Sequence, residues 1–153
     1  MNIVIAAVGR MKNGPEKSII DTYLTRLPWS VDIREIDHKN STQLNVAIRS
    51  ETQALLDLVP KRARTICLDS RGKSMTSNEF ADRVRAWRDD GFSSLAFLIG
   101  GPNGLEKGGV DSTDLALSFG RATWPHMLVR AMLVEQLYRT HCILTEHPYH
   151  RRH

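Results

Sequence analysis

Leu95-Ala96-Phe97-Leu98-Ile99-Gly100-Gly101-Pro102-Asn103-Gly104 is the stretch on which the fold turns. Its first half is a short apolar run, the pattern of a strand buried on both faces. Its second half is a glycine loop with no helical spacing, where a backbone can come close to a ligand. A buried strand that ends in such a loop belongs to a parallel sheet whose ligands bind beyond the strands' carboxyl ends.

Similar strands lie upstream. Asn2 to Val8 is short, rich in β-branched residues and stopped by Gly9, and Val31 to Ile36 and Thr65 to Asp69 read as the next two. Helical segments alternate with them. Asn13-Gly14-Pro15-Glu16 opens a helix at Pro15, carried by Ile19, Ile20, Tyr23, Leu24 and Leu27 and ended by Pro28. Ser41 to Leu58 places Leu44, Ala47, Ile48, Leu55 and Leu58 on one stripe, and Thr76 with Glu79 forms a capping box ahead of Phe80, Val84 and Trp87. The order β-α-β-α-β-α-β predicts an α/β fold, a single domain over residues 1–153 with a parallel sheet and helices on both faces. The loops to watch follow Leu68, Ile99 and a further short strand, Leu115 to Leu117.

Downstream of the glycine loop, Pro125 to about Thr140 is apolar around nearly its whole circumference, through Met127, Leu128, Val129, Ala131, Met132, Leu133, Val134, Leu137 and Tyr138. A helix apolar all round is buried all round. One face meets the sheet. The other meets a second copy of the chain, unless this is the central helix of a monomer. Glu135 and Arg139 have the spacing of an ion pair on one helix face.

Composition narrows the function. With 41% hydrophobic and 25% charged residues the balance is that of an ordinary globular chain, and the net charge of +4 permits a nucleic-acid partner without requiring one. Cys67 and Cys142 lie in apolar runs and read as inert buried thiols, which fits a reducing, cytoplasmic setting. The first apolar run is too short for a signal peptide, and no stretch has membrane-spanning length. The glycine loop follows the fourth strand, not the first, and carries Pro102, so it is not a dinucleotide fingerprint.

Two further segments carry chemistry. Leu117 through His126 is a polar loop feeding a helix; Thr123 is placed to cap it, and His126 and Arg130 share a face near its start, where RNA phosphate would suit. His147-Pro148-Tyr149-His150-Arg151 combines an aromatic ring, a group that titrates near neutrality and a guanidinium. It reads either as a solvated tail or as a cationic arm meeting phosphate. The terminal histidines lack cysteine or carboxylate companions at ligand spacing, so no metal is expected.

Taken in order, three segments resemble a known family: Leu98 to Leu105; Leu117 to Arg130 with its Thr-Trp-Pro-His-x-Leu-Val-Arg centre; and Glu135-Gln136-Leu137-Tyr138-Arg139 leading to His147-Pro148-Tyr149-His150-Arg151. The chain is similar over its length to the ribosomal RNA large subunit methyltransferase H family of the SPOUT class. The resemblance implies a trefoil knot in the C-terminal half, a homodimer and S-adenosylmethionine as methyl donor. It implies as substrate the N3 position of a pseudouridine in the helix-69 loop of 23S rRNA, in the assembled ribosome. By the same resemblance, donor contacts fall on Leu68, Gly100, Phe119, Gly120, Arg121, Ala122, Thr123 and Trp124. Trp124 stands where the family usually has Leu or Phe, and Gly120 where Ser is common. His150 is then the first choice for proton acceptor and Tyr149 for positioning the base, with His126, Arg130 and Arg151 on the RNA. A non-catalytic ribosome-binding module and a SPOUT enzyme acting on transfer RNA are the alternatives.

Overall fold

In a computed structural model, which describes residues 1–151, the strands β1 (Asn2–Val8), β2 (Ser30–Ile36), β3 (Arg64–Ser74), β4 (Ser94–Ile99) and β5 (Leu115–Ser118) form one sheet. Its order is β2-β1-β4-β3-β5 and every pairing is parallel. The helices are α1 (Pro15–Arg26), α2 (Leu44–Asp57), α3 (Ser77–Asp89), α4 (Lys107–Asp111) and α5 (His126–Leu144). Each strand expected from the sequence is present. The short α4, built on Lys-Gly-Gly-Val-Asp, carried no apolar period to reveal it.

Strand alternation sorts the core into two layers. Ile3, Ile5 and Ala7 of β1, with Leu95, Phe97 and Ile99 of β4, pack under α1, α3 and α5. Ala6 and Val8, with Leu98 and Cys67, pack on the other face against Leu55 of α2 and Leu105. Both cysteines are buried and free.

Three local expectations change. β3 runs on to Ser74, with an irregularity between Leu68 and Lys73 that lets it pair with β5 twice. The α2 stripe is displaced: Leu44 is exposed, and the buried face holds Ala47, Glu51, Thr52 and Leu55. Thr123 does not cap α5, whose N-cap position is Pro125 with no side-chain cap. By contrast the capping box forms, Thr76 Oγ1 accepting from Glu79 N at 3.1 Å and Glu79 Oε2 from Thr76 N at 2.7 Å.

The all-round apolar helix is largely accounted for within one chain. α5 lies over the sheet in contact with both α1 and α3, and Leu133, Val134 and Leu137 are fully buried there. Leu128, Val129 and Met132 stay half-exposed. Charge introduced at Leu133 or Leu137 would therefore strike the fold before any association of two copies. Leu137→Ala should cost about 2–5 kcal/mol of stability, measured by urea unfolding; a loss under 1 kcal/mol would mean that α5 is not packed as described.

Candidate functional site

The carboxyl ends of β3, β4 and β5 open on a cleft of about 500 Å³, a size suited to a small organic ligand. Its walls are three loops. The first, at the irregularity within β3, contributes Leu68, Asp69, Ser70 and Arg71; the second is the glycine loop; the third runs from Phe119 to His126. Seven of the eight residues expected to contact a donor line it: Leu68, Gly100, Phe119, Gly120, Ala122, Thr123 and Trp124. Arg121, the eighth, is exposed beside them and does not line the cleft.

Local chemistry explains why each loop holds its shape. Gly104 has φ +77°, in the left-handed region, and its N–H donates to Gly101 O at 3.0 Å. A Cβ on Gly100 would lie 2.7 Å from the Gly104 carbonyl carbon, so a larger residue would meet the loop's own backbone before it reached any ligand. In the third loop the buried Ser118 hydroxyl donates to Gly120 O at 2.8 Å and accepts from Gly120 N at 3.1 Å. In the first, Asp69 accepts from Arg71 N, Nε and Nη2 at 2.8, 2.9 and 2.7 Å. The Arg71 hydrogen bonds hold the Asp69 carboxyl below the usual range, so the cleft edge keeps an ionised Asp69–Arg71 pair. Asp69, Arg71, Asn103 and Ser118 were not singled out from the sequence. An acid closing the apolar run of Thr65 to Asp69 was the one signal available for Asp69.

Arg130 is not on the surface. Its side chain is 1% exposed. Nη1 donates to Glu35 Oε2, and Nη2 donates to Gly9 O at 3.0 Å. The same Glu35 oxygen accepts from Met11 N at 2.7 Å. The expectation of a phosphate contact at Arg130 is therefore corrected. The guanidinium ties the start of α5 to the ends of β1 and β2, and burial withholds it from RNA. His126, one turn earlier, does line the cleft, and burial, with Arg130 and His38 adding to it, lowers the pKa of its imidazole.

The tail forms a second cluster. Tyr149 Oη donates to Glu135 Oε1 at 2.9 Å and lies 3.1 Å from Tyr23 Oη. Burial and these two partners push the Tyr149 phenol far up, so it stays protonated. The Arg139 guanidinium covers the Tyr149 ring at 4.9 Å, pairs with Glu135 as its spacing predicted, and lies 3.3 Å from His150 Nδ1. A guanidinium only donates, so Nδ1 accepts and the proton sits on Nε2. Neither Tyr149 nor His150 lines the cleft. Arg151 is exposed, and Arg152 and His153, part of the expected cationic arm, lie outside the described residues.

Arg130 is the buried half of its pair with Glu35, whose side chain keeps 25% exposure. Arg130→Ala, which removes the charged hydrogen bonds to Glu35 and Gly9 O, should cost about 1.5–3 kcal/mol by denaturant unfolding; a change under about 1 kcal/mol would remove the pair from its structural role. A pH effect should come from His126. Below about pH 6.5 the unfolded chain takes up a proton there that the folded chain resists. Stability should thus fall as pH drops through that range, down to the lower folded pKa. His141, also lowered by burial, adds to the fall. His126→Gln should leave a shallower decline in melting temperature from pH 7.5 to 5.5, and an unaltered profile would contradict the assignment.

The comparisons with known proteins agree with this geometry. The family model described as "Predicted SPOUT methyltransferase" matches residues 1–150. A ribosomal RNA large subunit methyltransferase H from Paramagnetospirillum magneticum (strain ATCC 700264 / AMB-1) is 46% identical over 151 residues, covering 99% of both chains. Proteins of the same name are similar at 42% identity in Rhodospirillum centenum (strain ATCC 51521 / SW) and 43% in Ruegeria pomeroyi (strain ATCC 700808 / DSM 15171 / DSS-3), each with 99% of both chains covered. Among solved structures, a probable methylase family protein from Haemophilus influenzae Rd KW20 superposes with a TM-score of 0.59 over 98% of this chain and 70% of its own, at 12% identity, a likeness of fold. With a family match over nearly the whole length and relatives above 40% identity, the chain belongs to the SPOUT methyltransferase family and, within it, to the ribosomal RNA large subunit methyltransferase H family.

Proposed function

We propose that this chain methylates 23S rRNA in the ribosome from S-adenosylmethionine, at N3 of a pseudouridine in the helix-69 loop, in the cytoplasm. The observation that carries the reading is the cleft itself, where seven residues expected from the family to hold the donor converge from three separate loops. The donor and the target position rest on family membership. So does the trefoil knot in the C-terminal half.

Bound donor would supply an activated methyl group on a sulfonium. The protein's part is then alignment and proton removal. Holding two reactants in line contributes roughly 7–11 kcal/mol in favourable cases, and a positioned base a further factor of about 10²–10⁴. The glycine loop, closed by the Gly104–Gly101 hydrogen bond, and the Ser118–Gly120 clasp suit the first task, because their backbone is already held by hydrogen bonds.

His150 is our candidate for the second task, with Tyr149 placing the base and His126 and Arg151 toward the RNA. In its contact with Arg139, His150 has no free acceptor nitrogen. The tail must therefore leave that contact to act, and the tail of one subunit completing the partner's cleft would meet this need. A homodimer is proposed on the same ground, its twofold surface being the groove of about 590 Å³ between α1, α3 and α5, where Ile19 is 41% exposed and Leu128 and Met132 are half-exposed.

Calorimetry should show binding of S-adenosylmethionine or its demethylated product without added metal, whereas binding of neither would favour a non-catalytic ribosome-binding module. Deleting residues 147–153 should spare donor binding and abolish methyl transfer to ribosomes. His150→Ala should spare ribosome binding and slow single-turnover transfer; a variant at full rate would take His150 out of the chemistry. Met132→Glu should yield monomers by light scattering, and a wild-type monomer at micromolar concentration would contradict the dimer.

A further inference from the structure

The burial of Arg130 leaves the cleft without the phosphate contact that the sequence led one to expect. Other cations stand at the same edge of the sheet, but several are occupied. Arg10 is paired with Asp37 and Arg71 with Asp69. Among the described residues, Lys12, Lys39 and Arg121 are exposed and have no ion-pair partner.

Lys39 belongs to a built feature. Glu51 of α2 is 2% exposed, and its Oε2 accepts from His38 Nδ1 at 2.9 Å and from Lys39 N at 3.2 Å. A carboxylate acceptor fixes the hydrogen on Nδ1 and leaves Nε2 without a partner among the described residues. One buried carboxylate thus orients a partly exposed imidazole and pins the backbone that carries the lysine. Beside them is a cavity of about 300 Å³, lined on its polar side by His38, Lys39, Asn40, Ser41, Thr42 and Asn103, with Leu44 and Ala47 as its apolar side and no carboxylate. Asn103 belongs to the glycine loop, and a Cβ on its neighbour Gly101 would lie 3.5 Å from His38 Nδ1, so the cavity abuts the cleft. A concentration of N–H and O–H donors with a lysine and no acid suits a phosphodiester.

Trp124 stands on the third wall of the cleft. It is 43% exposed, and its Nε1 donates to Phe119 O at 3.3 Å. That bond fixes the plane of the ring, and a fixed exposed indole is a stacking platform for an unpaired base.

We propose that the 38–42 loop is a phosphodiester-binding subsite, and that the RNA strand it holds crosses the cleft with a base stacked on Trp124. The inference rests on the rRNA reading above and assigns the face and the residues that grip the strand. Lys39 contacts a phosphate, His38 Nε2 accepts from a ribose hydroxyl, Asn103 and the side-chain hydroxyls complete the contact, and Trp124 discriminates unpaired from paired target.

The test is equilibrium binding to 70S ribosomes across a salt series, with donor binding measured in parallel. Combined His38→Ala and Lys39→Ala should weaken ribosome binding about tenfold or more, with a salt dependence shallower by about 0.7 per single-strand phosphate lost. S-adenosylmethionine affinity should hold, and Lys61→Ala, at the opposite end of the strands, should alter neither. Trp124→Leu should raise the ribosome KM about tenfold and more than it raises the donor Kd, while Trp124→Phe should restore most of the loss. Unchanged affinity and salt slope in the double variant would overturn the subsite with the rRNA reading intact. Monomers on Trp124→Leu by light scattering would assign the indole to a second copy and overturn the stacking role. Failure of the wild-type chain to bind ribosomes at all would overturn both readings.

Discussion

The Arg130 guanidinium donates to Glu35 and to the Gly9 carbonyl from a position almost without solvent, and so joins the first turn of α5 to the ends of β1 and β2. Such a charge is tolerable only when paired and hydrogen-bonded, which makes the geometry of its neighbours demanding. The loop that feeds α5 is the third wall of the cleft. Its position is therefore set by an interaction on the far side of the helix start, made with strands that contribute nothing to the cleft lining. That coupling holds the start of α5, and with it one end of the loop, in place.

The layers of the sheet were legible because they rest on periodicity. Five residues of β1 divide between two cores, and the run from Leu95 to Ile99 into glycine announces both the sheet and the loop that matters. The capping box at Thr76 was legible for the same reason, since a local pair fixes it. Arg130 was not. Four residues from His126 on a helix face, it has the spacing of a surface cation, and nothing local reveals that Glu35, ninety-five positions away, awaits it. Glu51 was missed likewise: an acid amid polar neighbours reads as solvated until the fold closes over it.

The candidate site divides along the same line. The proposed donor contacts were placed by likeness to a family, and the strand-end rule had selected the same loops independently. What neither source supplied is how these loops keep their shape: the Ser118–Gly120 clasp, the Asp69–Arg71 fork and the Gly101–Gly104 turn. The tail shows the limit of reading roles from residue types. His150 has suitable chemistry, yet the Arg139 contact occupies its acceptor nitrogen, so its role depends on movement or on a second subunit.

The central claim is that this cleft delivers a methyl group to one nucleotide of ribosomal RNA. The direct measurement uses S-adenosylmethionine with an isotopically labelled methyl group, incubated with the protein and ribosomes that lack the modification, followed by nuclease digestion and mass spectrometry of the rRNA. The account predicts label on a single 23S pseudouridine, at N3, in the helix-69 loop. Label on transfer RNA, on another rRNA position, or on no RNA would contradict it.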